Sequence, residues 1–158
     1  MSRRLAARVP AIGLLACAAA LTIAGCALTR NTAPYDHPAA SFSELKAAFK
    51  KTGLHVCSQS SLSWRTQGFV RGEAYVVAAD CAAAKSTPVA SVITVSQYDS
   101  AKARDIAEQQ ANVFARYMPT HATTIWSYGP FLITVSGSRS SGSAGLLTNE
   151  LRELGAVG

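Results

Sequence analysis

Residues 9–24 read VPAIGLLACAAALTIA, an almost unbroken apolar run. Arg3, Arg4 and Arg8 precede it, and Gly25-Cys26 comes directly after. The run falls short of the roughly 20 apolar residues that a membrane-spanning helix needs. A basic start, a short apolar core and small residues at its end make the pattern of an export leader. This feature limits the fold before any other does. Residues 1–25 are set aside, and the folded part has to come from residues 26–158. A chain of 158 residues then has room for one domain.

Charge and composition shift once the leader is removed. The formal charge of +6 at pH 7 includes Arg3, Arg4 and Arg8, and falls to +3 without them. That mild bias is spread along the chain and is not the basic stripe of a nucleic-acid binder. The 49% hydrophobic content is raised by the alanines of the leader.

The end of the run, Leu21-Thr22-Ile23-Ala24-Gly25-Cys26, resembles the lipobox of bacterial lipoproteins. The resemblance implies cleavage before Cys26 and acylation of its thiol. Each buried methylene contributes about 0.8 kcal/mol, so two acyl chains anchor a protein stably. The other readings are an ordinary export cut with Cys26 incidental, and an uncleaved helix. Arg3-Arg4 raises twin-arginine export, but Leu5-Ala6-Ala7-Arg8 lacks the hydrophobic pair of that signal, which favours general secretion.

Four cysteines are present. Cys17 belongs to the leader and Cys26 takes the lipid. Cys57 and Cys81 remain as an even pair in an exported domain, which predicts one disulfide. The competing reading is metal binding by His55, Cys57 and Cys81, which lacks the second close pair of a zinc site.

Residues 27–40 (ALTRNTAPYDHPAA) have two prolines and no periodicity, and are expected to be a flexible tether with His37 in solvent. Ser41 and Glu44 fit a capping box that opens a helix carrying Leu45, Ala48 and Phe49, with Gly53 as its stop. A short strand is expected at residues 54–57, then a polar turn region at 58–68 around Trp64. Strands are expected at 73–79 and 89–98. Ala103, Ile106, Ala107, Ala111, Phe114 and Tyr117 recur at helical spacing and predict one buried face, with Lys102, Arg104, Asp105, Glu108 and Arg116 in solvent. Pro119 ends that helix. Residues 123–128 and 131–136 flank Gly129-Pro130 as a hairpin. Leu147, Leu151 and Leu154 form a last helical stripe, closed by Gly155. The expected fold is α+β: a two-layer sandwich, with an antiparallel or mixed sheet and helices packed on one face. The expected division is a leader at 1–25, a lipidated N-terminus and tether at 26–40, and one domain at 41–158.

Candidate chemistry is sparse. Gly137, Arg139, Gly142 and Ser143 lie in a strand-to-helix loop with P-loop glycine spacing, which makes a candidate anion-binding loop. The lysine that should come after Gly142 is replaced by Ser143, and a plain Gly/Ser linker accounts for the loop more simply. Serines, His55, His121, Asp80, Asp99 and Asp105 are available for nucleophilic catalysis, but no G-x-S-x-G elbow is present. The few carboxylates do not suggest a glycosidase pair. Trp126 and Tyr128 share one face of a strand. That face is a binding candidate if no helix covers it, and core otherwise.

The whole segment after the leader resembles small exported lipoproteins of actinobacteria, of the mycobacterial and corynebacterial kind. The likeness rests on the lipobox, the Cys57 and Cys81 pair, Tyr98-Asp99-Ser100, Tyr128-Gly129-Pro130 and Leu154-Gly155-Ala156. It implies a role for Cys26 alone and carries no activity. The expectation is a lipoprotein on the outer face of the cytoplasmic membrane. It would present a small ligand- or protein-binding domain, with no cofactor, no metal and no nucleic acid. Its partners would be the membrane, through the anchor, and envelope proteins or a small amphiphilic ligand. The alternative is a cell-envelope hydrolase with an unrecognised active site.

Overall fold

The computed structural model describes residues 35–83, 90–117, 122–137 and 142–158. Three helices and five strands occur in the order α1 (Phe42–Lys51), β1 (His55–Leu62), β2 (Phe69–Ala78), β3 (Ser91–Tyr98), α2 (Ala101–Tyr117), β4 (Ala122–Tyr128), β5 (Phe131–Gly137) and α3 (Gly142–Glu153). The strands form one sheet in the order β1-β2-β3-β5-β4, and every pairing is antiparallel. The α+β sandwich and its antiparallel sheet are as expected.

Local signals set the ends of these elements. Ser41 is the N-cap of α1, and its Oγ accepts from the Glu44 N–H at 3.2 Å. The Glu44 carboxylate accepts from the Tyr128 hydroxyl at 3.0 Å, which ties α1 to β4. At the end of α3, Ala156 N–H bonds Leu151 C=O and Gly155 N–H bonds Arg152 C=O, both at 2.9 Å. That is a Schellman cap, with Gly155 at a φ of 85°. Gly129 takes a φ of 52° at the first of the two turn positions of the β4–β5 hairpin. A Cβ there would lie 2.2 Å from the His37 carbonyl oxygen, so the turn and the incoming chain require glycine together.

Side chains alternate across the sheet. One face carries Tyr75, Val77, Ile93, Val95, Trp126, Tyr128, Phe131, Ile133 and Val135. Helices α1 and α3 cover it with Phe42, Leu45, Phe49, Leu147 and Leu151, and this is the main core. The opposite face carries Leu132 and Ile125, which pack with Tyr98, Phe69 and the alanines Ala103, Ala107 and Ala111 of α2. Beside them runs a ladder of hydroxyls, in which Thr94 bonds Thr134 and Thr123 bonds Ser136 at 3.0 Å. The expectation of helices on one face therefore holds for α1 and α3, while α2 lies on the reverse. The small apolar patch around Leu132 is what α2 covers there.

Two expectations about loops are revised. β1 runs on to Leu62 through the serines expected to form a turn region. It is an edge strand exposed to water on most of its length, so no apolar alternation marks it. The expected tether gives way to packed chain from Tyr35 onward. The Tyr35 hydroxyl donates to the Tyr98 carbonyl at 2.8 Å, and His37 stacks on the Tyr128 ring with centroids 4.6 Å apart. His37 is thus half-buried rather than free in solvent. At the other edge of the sheet, Val157 pairs with Ser127 of β4 through N–H to C=O bonds of 2.7 and 2.9 Å.

Candidate functional site

The cysteines come together. Cys57 in β1 and Cys81, just beyond β2, form a disulfide with Cα atoms 5.2 Å apart. Pairing of β1 with β2 places the two ends side by side. The bridge consumes both sulfurs of the proposed His55, Cys57 and Cys81 metal set. No group of three potential ligands gathers among the described residues. Cys26 and Arg139 lie outside the described residues, as does His121.

The other sequence candidates disperse into structural contacts. Gly137 ends β5 and Gly142 opens α3, while Ser143 is buried at 7% exposure. Trp126 and Tyr128 are 6% and 5% exposed beneath α1, α3 and the chain at His37, so the aromatic face is core. His55 is exposed on β1. Asp80 accepts from the Ala82 N–H at 2.8 Å. Asp105 pairs with Arg104 at 2.9 Å.

Arg104, expected in solvent, is 7% exposed. Its guanidinium donates to the Gly129 carbonyl in the hairpin turn, and sits 5.7 Å from the centre of the Tyr35 ring. A sequence shows the charge but not the carbonyl that waits for it. Burial raises the Tyr35 hydroxyl above its ordinary pKa. The Arg104 charge works against that rise, while Asp99 and Asp105 reinforce it.

A second polar cluster joins α1 to β2. Glu73 accepts from the Tyr75 hydroxyl and from Gln59 Nε2 at 3.0 Å, and pairs with Lys46 Nζ at 3.1 Å. Burial pushes the Glu73 carboxyl up. The bonds from Tyr75 and Lys46, with the charges of Lys46 and Arg71, outweigh burial and hold it below 4.5. Tyr75 moves up, by burial first and then by its bond to the carboxylate and the charge there. Each ionisable group in the cluster is thus committed to a neighbour in the fold.

Among the described residues, a group of large apolar side chains stays exposed on α2. Ile106, Val113, Phe114 and Tyr117 are 43%, 54%, 63% and 81% exposed. With Gln109 and Gln110 they line an open groove of about 500 Å3. Ile106, Phe114 and Tyr117 are thus outside the buried face in which the spacing puts them. At 3.6 residues per turn, Ile106, Gln110, Val113 and Tyr117 form a stripe of their own beside the alanine stripe. Only the alanines reach the sheet, because Leu132 and Ile125 sit close under the helix and leave room for small side chains. Lys102, Gln109 and Arg116, seven residues apart and all exposed, run along the outer border of the stripe. Glu108 lies on the far side of the helix, while Asp105 sits one turn from both Lys102 and Gln109, on that same border.

No helix among the described residues is long and apolar enough to cross a membrane. No protein-family model, curated protein or solved structure matches this chain.

Proposed function

We propose that this chain is an envelope lipoprotein, cut before Cys26 and acylated there. It holds a small ligand- or protein-binding domain at the outer face of the cytoplasmic membrane. The observation that carries the reading is the Cys57–Cys81 disulfide. A bridge of this kind persists in an oxidising compartment, which agrees with a leader ahead of Cys26. The stripe on α2 supplies the binding surface, since large exposed apolar groups grouped in one patch are a common mark of an interaction site. Binding suits the domain better than catalysis. Glu44 with Tyr128, Glu73 with Lys46 and Arg104 with the Gly129 carbonyl join different parts of the fold, and Tyr75 and Asp105 are bonded to their neighbours Glu73 and Arg104.

Substitution of Cys26 tests the anchor. The Cys26→Ser chain should remain an uncut, unacylated precursor and should leave the detergent phase. A variant with the same mature mass and the same detergent partitioning as the parent would overturn the reading.

A further inference from the structure

We propose that the exposed stripe of α2 lies on the bilayer that carries the lipid anchor, so that the domain rests flat on the membrane. This rests on acylation of Cys26. Three observations carry it. The first is the pattern of the helix. Ile106, Val113 and Tyr117 run along one exposed side of α2, Phe114 is exposed past the alanines near the end of the helix, and Lys102, Asp105 and Arg116 border the stripe on one side. An exposed apolar stripe whose border keeps a net positive charge suits a helix that lies in a lipid interface, with Lys102 and Arg116 against acidic headgroups.

The second observation is reach. The described chain begins at Tyr35, which packs against Arg104 of α2. From Cys26 to Tyr35 the backbone can span at most about 30 Å. A helix with its side chains is about 10–12 Å across, and the 17 residues of α2 are about 25 Å long. The anchor thus reaches round the helix to the side of the stripe, and it cannot carry the domain far from the surface. A tether this short converts weak contact into an intramolecular event at an effective concentration in the millimolar range.

The third observation is size. The stripe and groove involve six side chains on one helix. A standard protein interface takes roughly 20–30 residues from each partner. A lipid surface needs only that a few apolar side chains sink below the headgroups, about 5–10 Å deep. The patch is too small for a stable dimer of this chain and is suited to a bilayer already held nearby.

The test uses the mature, lipidated protein in vesicles of phosphatidylcholine with phosphatidylglycerol. Phe114→Cys gives a free thiol for an environment-sensitive fluorophore, since Cys57 and Cys81 are bridged. Lys50→Cys, exposed on α1 across the sheet, is the control. Nitroxide-labelled lipid should quench the label at 114, most strongly for a shallow nitroxide, and leave the label at 50 bright. Equal quenching at both sites, in protein that floats with the vesicles and has the acylated mass, would overturn the docking and leave the anchor standing. So would a 114 label that lipid fails to quench yet aqueous iodide cannot reach, because a protein would then cover the stripe. A mature chain without acyl mass would overturn the anchored reading, and the docking with it.

Discussion

The two faces of the sheet are built on different terms. Under α1 and α3, Phe42, Phe49, Tyr75, Trp126, Phe131 and four leucines fill the space between helix and sheet. Under α2, the contact is made by three alanines, Leu132, Ile125, Phe69 and Tyr98, beside hydroxyls that bond one another. The first face has its large groups inside. The second holds its helix with small groups and the Arg104 clamp, and turns the large groups of α2 outward. A helix attached in this way keeps an apolar surface without an apolar core behind it. The comparison separates residues that hold the fold from residues that meet the outside.

Large-to-small changes probe that separation most directly. Phe131, 1% exposed at the centre of the first face, should lose about 3–5 kcal/mol of stability as Phe131→Ala. Denaturant unfolding measures it, and a loss under about 1 kcal/mol would mean that the first face is not the main core.

Reduction of Cys57–Cys81 comes next. The bridge closes 24 residues of chain at the β1 edge, so reduction should cost about 2–4 kcal/mol and keep the fold. Unfolding with and without reductant measures the loss, and a free-thiol assay on unfolded, unreduced protein confirms the bridge.

Arg104→Ala tests the clamp of the second face. It leaves the Gly129 carbonyl without its guanidinium partner, a loss of about 1–3 kcal/mol. Amide exchange should quicken around the hairpin turn and at Tyr35, and remain slow in α3.

Glu73 gives the pH dependence. Its carboxyl is held below 4.5 in the fold, so its contribution is present above that value and is lost as the pH falls through the depressed one. The group is a partly exposed member of an ion pair, so the effect is under about 1 kcal/mol. Glu73→Gln should flatten the acid limb of the stability curve and leave neutral stability almost unchanged.

The smallest effect is expected at Phe114, 63% exposed. Phe114→Ser should change stability by less than about 0.5 kcal/mol. A loss as large as that of Phe131→Ala would erase the distinction between the faces.

Much of the fold is legible in the sequence because its signals are local. Ser41 capping α1, the Gly129-Pro130 hairpin and Gly155 closing α3 are each decided by a few adjacent residues. The disulfide is legible from the cysteine count and the leader-like pattern of residues 1–25. What escapes depends on distant chain. Residues 58–62 are strand only because β2 pairs with them, and their serines face water. Arg104 is buried because the hairpin turn brings a carbonyl to it. The α2 stripes lie side by side, and periodicity alone merges them into one face. Which stripe is buried depends on the room left by Leu132 and Ile125, and large residues are the natural but mistaken choice. Ile106, Phe114 and Tyr117 are therefore in view in the sequence, but their spacing assigns them to the core.

The pairing of Val157 with Ser127 has a consequence for how copies of this chain meet. The outer strand β4 would otherwise offer the N–H and C=O of Ser127, near its end, as a template for a foreign strand. The chain fills that template with its own last residues, where Gly158 lies close against the Trp126 ring. That contact narrows the stretch of β4 edge that a second copy could pair with. It is a backbone contact made by whichever residue stands at 157.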